Sequence, residues 1–166
     1  MPSYVAPALP EDEAARDAAV ISSGLLQSDR AMALHGIVWK AARTFRTTMA
    51  SATVIHGDRQ FLIATHGIDP CILTRESSFC GHAILDPHRV MCVSDTAADP
   101  RFAGNPGVLG DPGIRFYAGA PLISPGGYAL GTLCVFDPRP RPCLTAREEG
   151  VLKEMADAVM ARSLRR

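Results

Sequence analysis

Two pairs of short β-type runs, each closed by a turn-forming tetrapeptide, constrain this chain more than any other feature. Ser51 to His56 (SATVIH) and Gln60 to Thr65 (QFLIAT) flank His56-Gly57-Asp58-Arg59. Ile114 to Ile123 and Tyr128 to Phe136 flank Ser124-Pro125-Gly126-Gly127. Strands joined this tightly run antiparallel, because a parallel return needs a crossover of a dozen residues or more. In the third run, Phe116, Ala118, Ala120 and Leu122 fall on one face, and Arg115, Tyr117, Gly119 and Pro121 on the other. Val90 to Val93 is a fifth strand.

Helical patterns lie at both ends. Glu11 to Leu26 opens with acids that suit a helix dipole. Ser28 is placed to cap a second helix, in which Leu34, Ile37, Val38, Ala41, Ala42 and Phe45 recur at spacings of three and four. Thr145 and Glu148 form a capping box before a last helix. Its stripe is Val151, Leu152, Met155, Ala156, Val159, Met160 and Leu164. Ser78 to Leu85 reads as a short helix. Asp95 to Gly113, with Pro100, Pro106 and Pro112, has no strong period, and long irregular connections are usually functional or mobile. The order predicts an α+β fold: an antiparallel sheet with the helices of both chain ends packed on one face.

Composition removes several functions. The chain has 166 residues, enough for one ordinary domain. Hydrophobic residues make up 47% and charged residues 20%, which suits a folded chain. Lys+Arg and Asp+Glu are each 17, so no basic surplus supports nucleic-acid binding. No apolar run approaches the ~20 residues that span a bilayer, so no membrane partner is expected. Met1 to Pro10 has neither the basic start nor the apolar stretch of a signal peptide and reads as a flexible arm before a single domain, 11–166. A cytoplasmic location is expected, with Cys71, Cys80, Cys92, Cys134 and Cys143 as free thiols.

Several segments resemble the GAF family, in the subgroup found at the input ends of bacterial sensor histidine kinases and diguanylate cyclases. They are Ser78-Phe79-Cys80-Gly81-His82-Ala83-Ile84, Val93-Ser94-Asp95, Asp99-Pro100-Arg101-Phe102 with Asn105-Pro106, Ile114 to Leu122, and Gly131-Thr132-Leu133-Cys134-Val135. The resemblance runs from about Asp29 to Met160. It implies a central sheet of five or six antiparallel strands with terminal helices on one face. The irregular segment would close a small-molecule pocket on the other. It also implies a non-catalytic sensory module, a homodimer through the terminal helices, and a signalling protein as possible partner. Within this sequence no output domain follows the last helix, so the chain reads as free-standing or as a piece of a longer signalling protein.

The expected ligand-binding set is Phe79, Cys80, His82, Asp95, Asp99, Arg101, Phe102, Asn105, Arg115, Tyr117, Thr132 and Cys134. Arg101 or Arg115 would hold a carboxylate or phosphate by a two-point contact. The competing reading is that Asp99 and Arg101 pair with each other and pin the loop, while Cys80 packs inward and His82 bonds to backbone or to Asp95. Cys80, His82, His88 and Cys92 offer four N/S ligands within 13 residues, but without the paired spacing of a zinc site, and no metal is expected. Cys80 also lies where free methionine sulfoxide reductases of the same fold carry a redox thiol, with Cys71 as a possible redox partner. The loop Phe102 to Gly107 lacks that family's attacking cysteine. The Cys-His dipeptide of bilin binders and the motifs of cyclic-nucleotide binders are missing too, and the sequence names no cofactor. A ligand-free dimerisation module is the third alternative. Ala14, Ala15, Ala18 and Ala19 would permit close helix approach in a dimer, or pack on their own domain.

Overall fold

The computed structural model describes residues 3–27, 29–111 and 113–164, without the side chains of Arg30 and Leu164. Ser28, Pro112 and the side chain of Leu164, singled out above, therefore lie outside the described residues. Six strands form one antiparallel sheet: β1 (Met49–His56), β2 (Arg59–His66), β3 (Cys71–Thr74), β4 (Met91–Val93), β5 (Phe116–Ile123) and β6 (Ala129–Asp137), in the order β3-β2-β1-β6-β5-β4. Both expected hairpins are present. In the second, Ser124 N–H donates to the Tyr128 carbonyl, and Gly127 turns the chain at φ 90°.

Strand β3 was not legible. Its four residues, CILT, show no alternation, and Ile72 and Leu73 stay exposed at the sheet edge. It exists because Cys71 to Thr74 find a ladder on Leu62 to Arg59.

The strands alternate as their pleat demands. Phe116, Ala118, Ala120 and Leu122 enter one core beneath α2 (Arg30–Phe45) and α5 (Ala146–Leu164). Tyr117, Cys134 and Phe136 enter the other, beneath α3 (Phe79–Ala83), α4 (Pro106–Leu109) and the irregular segment. Helix α5 begins at the expected capping box: Glu148 N–H donates to Thr145 Oγ1, and Thr145 N–H donates to the Glu148 carboxylate. Arg162 ties its last turn to the Ala33 carbonyl of α2.

Helix α1 (Glu13–Ser23) ends three residues earlier than its sequence pattern, because Gly24 takes a left-handed conformation (φ 71°) and closes the helix. The guanidinium of Arg16, 2% exposed, donates to the carbonyls of Ile55, Ala129 and Leu130, while Val20 and Leu25 enter the helix-side core. Glu13 bridges Arg16 to Arg75 and so joins α1 to the far face. Residues 3–7 run over the outer layer: Val5 N–H donates to the Arg101 carbonyl and Gly104 N–H to the Ser3 carbonyl, each at 2.9 Å.

Candidate functional site

A cavity of about 310 Å³ lies between the sheet and its irregular layer. Its floor is pleat-selected. Thr53 on β1, Gln60 and Leu62 on β2, Tyr117 on β5, and Cys134 and Phe136 on β6 all project to the same side. Its roof comes from Phe79 and Cys80 of α3, from Asn105, Pro106 and Gly107 around the start of α4, and from Ile68, Ser77 and Ile114. Leu73 and Pro106 line it and are exposed, so the cavity meets solvent beside the edge strand.

Local chemistry fixes the roof. Ser78 caps α3, its Oγ accepting from Gly81 N–H at 3.0 Å. Asn105 caps α4 through Gly107 N–H at 2.8 Å and donates at 2.9 Å to the Ser77 carbonyl, so one side chain binds the two roof segments together. Phe79 is held from behind by Phe102, ring centroids 4.9 Å apart, and lies near-parallel to Tyr117 at 5.4 Å.

The polar part of the floor is a network of hydroxyls and thiols. Cys80 Sγ lies 3.1 Å from Thr132 Oγ1 and 3.2 Å from the Tyr117 hydroxyl. Cys134 joins it and donates to the Ser51 carbonyl at 3.5 Å. Burial pushes the Cys80 thiol up, but hydrogen bonds from Cys134, Thr132, Tyr117 and Thr53 outweigh it and bring the thiol down to about 7. Tyr117 and Cys134 move the other way: burial, then the neighbouring sulfur charge, raises the phenol, and the hydrogen bond to Cys80, then burial, raises the second thiol.

Among the described residues, no Asp, Glu, Lys, Arg or His side chain lines the cavity. The carboxylates and guanidinia expected there are consumed in pairs outside it. Arg115 donates to both oxygens of Asp95 (2.9 and 3.1 Å), and Arg101 to both oxygens of Asp99 (3.1 and 2.8 Å). The arginine hydrogen bonds hold each carboxyl below the usual carboxylate range.

The fold agrees with the comparisons. The GAF domain family matches residues 10–162. The chain belongs to the GAF domain family. It is 42% identical over 156 residues to a cyclic di-GMP phosphodiesterase of Pseudomonas aeruginosa, a match covering 94% of this chain and 26% of that protein. The chain therefore spans about a quarter of that relative's length. Two solved structures share the fold. The GAF domain of a phosphoenolpyruvate-protein phosphotransferase from Coxiella burnetii superposes with a TM-score of 0.66 at 17% identity, covering 88% of this chain and 93% of that one. The free methionine-R-sulfoxide reductase of Neisseria meningitidis superposes with a TM-score of 0.64 at 18% identity, covering 98% and 96%.

Within this GAF domain the expected binding set divides. Phe79, Cys80, Asn105, Tyr117 and Cys134 line the cavity. Thr132 sits one layer behind, on Cys80. His82, Asp95, Asp99, Arg101, Phe102 and Arg115 do not reach the cavity wall. Arg101 closes on Asp99, the pairing that the competing reading named, and Arg115 closes on Asp95. His82 meets the Val5 carbonyl at 2.7 Å and the Phe102 ring edge, and burial lowers its pKa, so it fastens the N-terminal segment as a neutral ring. Among the described residues, no three His, Cys, Asp or Glu side chains gather as a metal site, and the Cys80, His82, His88 and Cys92 set does not converge. The thiol beside Cys80 is Cys134. Cys71 lies on the edge strand opposite Leu62, its own thiol raised by burial and by Asp69.

Sequence reasoning missed Thr53, Gln60, Leu62, Ile68, Leu73, Ser77, Pro106, Gly107, Ile114 and Phe136 in the wall. The first three were findable in principle, because they take alternate positions on two recognised strands. What was lacking was the face that alternation exposes to the cavity.

Proposed function

We propose that this GAF domain is a non-catalytic sensory module whose cavity takes a neutral, mainly apolar small molecule. The observation that carries the reading is the cavity wall: a sheltered space with apolar and aromatic walls, a few placed polar groups, and no carboxylate or basic side chain among the described residues. Binding sites of small ligands have this character. An anionic ligand would lose its hydration without a cation to replace it, at a cost of several kcal/mol. At about 310 Å³ the cavity is at the small end of the range for ligand pockets. A cyclic dinucleotide, with two phosphates, fails on charge.

Ligand occupancy would be read out by helices α2 and α5, which pack on the other face of the strands that form the cavity floor. The relative with phosphodiesterase activity supports placing the domain as a regulatory input of a cytoplasmic signalling chain, like those carrying histidine kinase or diguanylate cyclase outputs. Ile21, Met32 and Trp39 are exposed on the N-terminal helices and favour a homodimer there.

Thermal-shift and calorimetric titrations with indole, and with cyclic di-GMP and cyclic AMP, test the reading. Binding of indole with no nucleotide response is expected. A nucleotide response without indole binding overturns the ligand class, and unchanged amide exchange in α2 and α5 on ligand binding overturns the readout. Sedimentation of a monomer at tens of micromolar removes the dimer.

A second reading, thiol redox sensing, is favoured by one observation: the low-lying Cys80 thiol has Cys134 beside it. Oxidation by a hydroperoxide would join the two sulfurs, taking two electrons and two protons from the thiols and giving a disulfide, an alcohol and water. A Cys80-Cys134 cross-linked peptide after peroxide treatment, lost in Cys134→Ser, is its signature.

A further inference from the structure

The cavity wall contains one polar group that the protein does not use. Gln60 is 7% exposed and lines the cavity, and its carboxamide oxygen is buried with no hydrogen-bond partner among the described residues. Its surroundings explain this. On the cavity face of the sheet its cross-strand neighbours are Ile55 on β1 and Leu73 on β3, and its neighbour along β2 is Leu62. All three are apolar. The other polar side chains of the wall are already engaged: Asn105 with Ser77 and Gly107, Ser77 with Thr74, Thr53 with Ser51, Tyr117 with Cys80 and Thr132.

A buried acceptor left unpaired costs about 1–3 kcal/mol, and native proteins place such groups where something meets them. Strand β2 stands two strands from β6, roughly 10 Å across the sheet, so Gln60 and the Cys134 end of the thiol cluster mark separate ends of the cavity. A leucine would pack against Ile55, Leu62 and Leu73 without that cost.

We infer that Gln60 is the residue that selects the ligand: its carboxamide oxygen accepts a hydrogen bond from a single N–H or O–H donor on a neutral molecule. The apolar body of that molecule then fills the space between Phe79 and Leu62. This assignment rests on the cavity reading above and adds to it the polar group that the ligand must carry and the end of the cavity where it lies. Indole and benzofuran are suitable probes, being alike in size and shape and differing in whether the five-membered ring carries an N–H donor or an oxygen.

Calorimetric titration of the intact chain with each probe, for wild type and Gln60→Leu, is the test. Wild type is expected to bind indole about fivefold to tenfold more tightly than benzofuran, the worth of one neutral hydrogen bond. Gln60→Leu is expected to bind the two alike. Ligand-free Gln60→Leu is expected to melt at the same temperature as wild type or higher, since an unsatisfied amide has been removed; Gln60→Met repeats the test should the leucine variant fold poorly. Equal binding of both probes by wild type overturns the role of Gln60 and leaves the cavity reading standing. So does an indole preference that survives in the variants, or a lower melting temperature for both of them. Binding of neither probe overturns the cavity reading and this assignment with it.

Discussion

The sulfur of Cys80 lies 3.2 Å from the hydroxyl of Tyr117, which is held over it from the neighbouring β5 strand. Burial acts to raise the thiol, and the donors around it reverse that sign, to about 7. Iodoacetamide is small and neutral enough for the cavity. The Cys80 alkylation rate, followed by peptide mass spectrometry, should reach half its maximum near pH 7. Tyr117→Phe removes one donor to the thiolate, so the midpoint should move upward by about one pH unit, as for about 1.4 kcal/mol lost, and the rate at pH 7 should fall about fivefold. A midpoint near the ordinary thiol value in wild type would contradict the network.

Glu13 joins two buried arginines, Arg16 and Arg75. Burial raises its pKa, but hydrogen bonds from Arg16 and Arg75, with their charges, outweigh it and lower the group from 4.5 to about 2. A depressed carboxyl stabilises the fold above its unfolded value and loses that contribution as pH falls. The stability advantage of wild type over Glu13→Gln should be full above about pH 4.5 and gone near pH 2, measured by denaturant titration across that window. Glu13→Ala at pH 7 should cost about 3 kcal/mol, because two buried guanidinia lose the carboxylate they share and keep mainly backbone carbonyls.

Arg101 and Arg115 close on Asp99 and Asp95 outside the cavity. Arg101→Gln and Arg115→Gln should therefore leave the dissociation constant for indole within about twofold of wild type by calorimetry, about 0.4 kcal/mol. A tenfold loss would return these residues to the ligand.

Gly131 sits where β6 passes β1, opposite Val54. A Cβ there would collide with the Thr53 carbonyl oxygen, a backbone atom in the middle of a ladder. Gly131→Ala should cost about 2 kcal/mol and lower the melting temperature by about 6 °C. Gly126→Ala, in the hairpin, places its Cβ 3.5 Å from the Tyr128 ring, an ordinary contact, and should be near neutral in the same scan.

What the sequence by itself determined is what depends on neighbours along the chain. The hairpins at Gly57-Asp58 and Ser124 to Gly127, the capping box of Thr145 and Glu148, and the two faces of β5 are all set within a few residues. Each was legible for that reason, and the α+β order of elements followed. The GAF motifs extended this to the topology and to five of the residues lining the cavity. Tertiary structure decided the rest. Strand β3 has no signal of its own and forms because β2 offers an edge. His82, Asp95, Asp99, Arg101 and Arg115 carry the right chemistry for a binding site, but each finds a protein partner outside the cavity wall. Cys80 acquired its neighbour from β6, 54 residues away in sequence. Gln60 is an ordinary polar residue until Ile55, Leu62 and Leu73 surround it. Which polar groups are spent and which remain free is a property of packing, because hydrogen bonds are made between whichever groups the fold brings within 3 Å or so.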